Sequence, residues 1–135
     1  MSVCLTYHRV MAELRVLDGE TAVAVERVCE AIVPGSSRVH PAVYVDALLA
    51  RMDAPAREAA LAAFAALADG EVADSVGTPE FLFARALAIE AFYSDFVAPG
   101  VDAVGAWAEI DFSTPLATRL AKDWSYLGIG GGGAA

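Results

Sequence analysis

The sequence predicts an all-α, compact single-domain bundle of about five helices that ends in an irregular aromatic segment. Apolar residues recur at helical spacing through most of the 135 positions. Proline, glycine and capping residues break that pattern at intervals suited to short helix–helix links. Hydrophobic residues make up 57% of the chain, much of the excess being alanine, which favours helix while driving little burial by itself. A chain of this length can bury roughly two thirds of its unfolded surface in one core without disulfides or metal.

The first helix is expected after Asp18-Gly19-Glu20-Thr21, with Asp18 or Thr21 as cap and Val25, Val28, Cys29 and Ile32 on one face. Pro34-Gly35 stops it, because proline disfavours helix in the residue before it. The second helix opens at Pro41 and presents Val45, Leu48, Leu49 and Met52. A third, about Pro55 to Ala68, carries Leu61, Phe64 and Leu67 and closes at Asp69-Gly70. The fourth has the clearest start. Thr78-Pro79-Glu80 supplies a hydroxyl cap, a first-turn proline and a first-turn acid. From Phe81 to Tyr93 it is apolar nearly all round, the pattern expected of a central helix. Beyond Asp95 the helical period is lost, Pro99-Gly100 marks a turn, and Trp107, Ile110 and Phe112 suit either a helical turn or an extended strip. Ser113-Thr114-Pro115 starts the last helix, through Leu116, Leu120, Trp124 and Leu127. One domain over residues 1–127 is expected, with 1–17 loosely attached and a mobile glycine-rich tail over 128–135.

Composition also excludes functions. A net charge of -9, with no basic block, opposes binding to nucleic acid or anionic membranes through phosphates. Cys4 and Cys29 form no framework or Cys-x-x-Cys spacing, and Cys29 falls in an apolar stripe, where a thiol behaves as a small buried hydrophobe. His8 and His40 lack the helical spacing of a bundle metal site. The chain shows no nucleophile elbow, and its glycine run leads into no phosphate-binding helix. No stretch is apolar enough for a signal peptide or a membrane span, so a cytoplasmic location is expected.

Two carboxylates stand apart from the scattered acids. Glu90 lies within the apolar fourth helix and Asp95 follows Tyr93-Ser94 at its end. They suit either a buried polar pair satisfied by the following turn or a clasp for a partner. The aromatic C-terminal third suggests a partner-binding surface, with Phe92, Tyr93, Asp95, Trp107, Phe112, Trp124 and Tyr126 as candidates. Each aromatic suits a core as well as an interface.

The residues Leu17-Asp18-Gly19-Glu20, Val28-Cys29-Glu30-Ala31-Ile32-Val33-Pro34, Val43 to Leu49, Ala91-Phe92-Tyr93-Ser94-Asp95 and Trp107 together resemble the gluconate 2-dehydrogenase subunit 3 family. Ala91 stands where that family usually has glycine, Val101-Asp102 where a Gly-Asn turn is common, and Ser113-Thr114 interrupts a terminal Pro-Gly. The resemblance implies a non-catalytic small subunit that clasps and stabilises a large FAD-dependent dehydrogenase or oxidase of the glucose-methanol-choline type. The flavin would belong to that large subunit, with no cofactor, metal or catalytic residue in this chain. Two other readings remain open from the residues alone. One is a stand-alone helical enzyme or ligand-binding protein with a pocket at Tyr44, Glu90, Tyr93 and Trp107. The other is a self-associating structural protein.

Overall fold

A computed structural model describes residues 13–112 and 127–129. It is all-helical among the described residues: α1 (Gly19–Ile32), α2 (Pro41–Arg51), α3 (Ala54–Ala68), α4 (Pro79–Tyr93) and the single-turn α5 (Ala106–Glu109), with 3₁₀ turns at Ser36–Val39 and Val72–Ser75. The last helix expected from sequence lies outside the described residues.

Local chemistry sets each start. Asp18 caps α1 by accepting the Thr21 N–H at 2.7 Å, a bond that holds its carboxyl below the usual aspartate range. Asp53 does the same for α3, accepting from Ala56 at 2.9 Å. Thr78 Oγ1 accepts from Phe81 at 3.2 Å, and the Thr78 hydroxyl donates back to the Ser75 carbonyl at 2.7 Å, tying α4 to the turn before it. His40 precedes Pro41 in the left-handed region (φ 54°), which redirects the chain from the 3₁₀ turn into α2. The buried Glu26 carboxylate braces that corner, accepting from the Ala42 N–H at 3.2 Å and lying 3.5 Å from His40 Nδ1.

The most fully buried helix is α2, whereas α4 packs against all four other helices yet leaves one face uncovered. Pro41 to Ala47 are all buried, as is Leu49, with α1 and α4 packed against this helix. Its one interior carboxylate, Asp46, is satisfied by hydrogen bonds. Oδ1 accepts the N–H groups of Val16 and Leu17, and Oδ2 that of Arg15, each at 2.9 Å. Residues 15–17 are therefore fastened to the core rather than loosely attached, with Leu17 buried. At the other end Leu127 is buried and the Arg15 guanidinium donates to the Gly128 carbonyl, so the glycine-rich tail starts from an anchor. By contrast, α4 buries Ala84, Leu87, Ala88, Ala91 and Phe92 and turns Leu82 and Tyr93 outward.

Cys29 is fully buried, and desolvation, with Glu26 nearby, pushes its thiol up to about 12. The thiol stays protonated in the folded protein over a range where the unfolded chain ionises. Stability attributable to it is complete below the unfolded pKa of about 9 and is lost as pH rises toward about 12. The expected result is that the stability difference between wild type and Cys29→Ala changes by up to about 1.4 kcal/mol per pH unit across that window, in denaturant melts. A flat difference would show that the thiol is hydrated.

Candidate partner-binding surface

The site begins where α4 ends. Ser94 closes the helix and Asp95 takes a left-handed conformation (φ 63°), which turns the chain back across the bundle. Phe96 then drops into the core edge-on to Tyr44, with ring centroids 5.1 Å apart. Ala98 N–H donates to the Val39 carbonyl at 3.0 Å, and Gly100 (φ 78°) completes the turn. The chain returns in α5, which sets Trp107 against the end of α4.

Asp95 and Trp107 form an internal clasp. The buried Asp95 carboxylate accepts the Trp107 N–H at 3.2 Å, and the indole Nε1–H donates to the Tyr93 carbonyl at 2.9 Å. That second bond satisfies one of the carbonyls left over at the end of α4. Gly105 lets the two chain segments approach: a Cβ there would lie 2.1 Å from Asp95 Oδ1. Phe112 folds back edge-on to Trp107 at 5.3 Å, and its N–H donates to the Trp107 carbonyl at 3.1 Å.

Arg38 fastens this corner from the opposite side. Its Nε–H donates to the Val104 carbonyl at 2.8 Å, its guanidinium pairs with Glu109 at 2.5 Å, and it lies 5.0 Å from the centre of the Phe92 ring. Sequence reasoning missed this residue. Its partners in the corner are more than fifty positions away, and a single arginine after Ser36-Ser37 carries no local signal.

The candidate interface residues therefore separate. Tyr93 and Phe112 are outward, at 55% and 50% exposure, joined by Ile110 at 73%. Trp107 is half-buried and supports them. Phe92 is at 1% exposure and belongs to the core, and Asp95 is committed to the clasp. Trp124 and Tyr126 lie outside the described residues. Glu90 and Asp95 do not form the buried pair considered from sequence. Glu90 is exposed and accepts the Tyr44 hydroxyl at 3.1 Å, whereas Asp95 is satisfied by the turn.

Those contacts bear on a ligand pocket at the same place. The Tyr44 hydroxyl meets Glu90 and the indole N–H meets the Tyr93 backbone carbonyl, so these polar groups of that pocket are already paired. A cavity of about 150 Å³ lies elsewhere, among Leu14, Arg15, Asp46, Pro99, Gly128 and Ile129. It is smaller than the roughly 300–1,000 Å³ of ordinary small-molecule sites. Among the described residues no group of three or more His, Cys, Asp or Glu side chains could hold a metal, and no helix is long and apolar enough to cross a membrane.

Glu30 braces the turn that carries Arg38. Burial works to raise its pKa, but the N–H groups of Gly35 and Ser37, both bonded at 2.8 Å, and the Arg38 charge outweigh it and hold the carboxyl below the usual range. The carboxylate's contribution is therefore present at neutral pH and lost as pH falls through that lowered pKa. Glu30→Gln is expected to cost about 1–2 kcal/mol at pH 7. The gap should close in acid, and an equal gap at both pH values in urea melts would refute the assignment.

The architecture defines a small helical protein with a braced aromatic corner. No family model, curated protein or solved structure matches the chain.

Proposed function

We propose that the chain is a non-catalytic accessory subunit that binds and stabilises a large FAD-dependent oxidoreductase subunit, of the type that oxidises sugars, alcohols or glycosides. The observation that supports this is the corner itself. Phe112, Ile110 and Tyr93 are held outward by a half-buried tryptophan, a buried aspartate and an arginine brace. Large apolar groups fixed in place without cover lower the cost of docking a partner, because little side-chain freedom is lost on binding. The resemblance in sequence to a small-subunit family supplies the class of partner. In this reading the flavin and the redox chemistry reside in the partner, and an obligate contact would bury on the order of 2,000 Å² or more.

The test is native co-purification of the tagged chain, read by mass spectrometry and flavin absorbance. A flavoprotein eluting at fixed stoichiometry is expected, and Phe112→Ser combined with Ile110→Ser should reduce its yield at least about tenfold without lowering Tm. A colourless single chain would overturn the flavoprotein reading.

A further inference from the structure

The outer face of α4 carries a second pattern, which meets the corner at Tyr93. Leu82, Ala86, Ile89 and Tyr93 follow at intervals of four, three and four residues, the alternation that keeps one seam facing a partner helix. Leu82 is 57% exposed, Ala86 and Tyr93 are also exposed, and Ile89 is half-buried at the seam's inner edge. Phe83 lies beside the seam and is exposed too. The residues that face the body, Ala84, Leu87, Ala88 and Ala91, fall on the opposite side of the same helix. The apolar excess that made α4 look central in sequence is thus divided between two faces, one of them uncovered.

The charges beside this seam identify its occupant. Arg85 and Glu90 are both exposed, flank the seam on opposite sides and are five residues apart. In a parallel helix pair, the flanking residue of one helix meets the opposite flank of the other five positions later. Arg85 of one copy would then meet Glu90 of a second copy, and two-fold symmetry repeats the contact. An antiparallel pair would set each flank against itself, bringing arginine toward arginine and glutamate toward glutamate. Glu90 is also held in position, since its Oε1 accepts the buried Tyr44 hydroxyl at 3.1 Å.

We propose that the chain forms a parallel two-fold dimer through the outer face of α4, in register for reciprocal Arg85–Glu90 pairs. Leu82 to Tyr93 spans only about 16 Å of helix, less than a stable interface of roughly 1,200 Å² or more requires. The parallel sense brings the two helix C-termini together, so the Tyr93–Phe112 corners become neighbours and add to the contact. Their outer surfaces then form one continuous aromatic platform. The dimer is built on the α4 seam and the adjoining corners and does not depend on the flavoprotein reading.

Sedimentation equilibrium of the purified full chain tests it. A concentration-dependent dimer is expected. Ala86→Glu, at an exposed seam position, should abolish it with an unchanged circular dichroism melt. Arg85→Glu replaces two attractions by two repulsions and should weaken association about tenfold. Mixing the folded Arg85→Glu and Glu90→Arg chains should restore association as a heterodimer, because each junction is again oppositely charged. A wild type that stays monomeric up to about 1 mM overturns the proposal. So does a dimer indifferent to Ala86→Glu, and a mixture no tighter than either variant alone overturns the parallel register. Should Glu90→Arg fail to fold, Arg85→Glu decides the register: unchanged association overturns it. A dimer without a co-purifying flavoprotein would remove the functional reading and leave this one. A monomer that co-purifies with a flavoprotein would do the reverse.

Discussion

Replacing Asp46 by alanine is expected to cost about 3–5 kcal/mol, enough to unfold much of the population of a marginally stable domain. The carboxylate is buried on α2 and accepts three consecutive backbone N–H groups, from Arg15, Val16 and Leu17. Alanine removes the acceptor and opens a space among groups that cannot turn elsewhere. Leu17 would lose its seat, and Arg15, which donates to Gly128, would lose its register. Asp46→Asn should be milder, since one oxygen still accepts while the amide NH₂ faces a donor. Urea melts with hydrogen exchange at residues 15–17 would check this. An alanine variant within about 1 kcal/mol of wild type would mean that the N-terminal segment contributes little to stability.

Gly105→Ala is the second large effect, expected at about 2–4 kcal/mol and centred on the aromatic corner. The new Cβ would lie 2.1 Å from Asp95 Oδ1 and 3.3 Å from the Asp95 carbonyl oxygen. The carboxylate must leave, and the Trp107 N–H it satisfies goes with it. Tryptophan emission should shift to the red, and flavoprotein co-purification should fall with it. Asp95→Gly is the informative companion. Glycine tolerates the left-handed backbone at 95 and removes the carboxylate that clashes. The double variant should therefore be less destabilised than the sum of the two singles. Strict additivity would show that the two residues do not press on each other.

The corner's logic was only partly legible in the sequence. Trp107 and Phe112 stood out as aromatic residues after a Pro-Gly turn, and they do lie together. Phe92 and Tyr93 are adjacent and of similar type, yet one is core and the other surface, because a single helical step rotates the side chain by about 100°. Nothing local states which way the rest of the bundle lies. Asp95 is similar. Its position after the helix suggested turn chemistry, but its partner is twelve residues on and depends on a glycine that admits the approach.

The sequence by itself determined the helical class, the cap at Thr78, a first-helix cap at Asp18 or Thr21, and the breaks at Pro34, Asp69-Gly70 and Pro99-Gly100. These rest on interactions among residues a few positions apart, which local order encodes directly. Which helix is most fully buried was decided only by the tertiary structure. The interior acid of α2 is satisfied by three backbone donors from a remote segment, a partner set that no local pattern in α2 announces. An apolar circumference argued for α4, although burial depends on which neighbours arrive, and they cover only one side. Hydrophobicity is a property of the residue, whereas burial is a property of its surroundings.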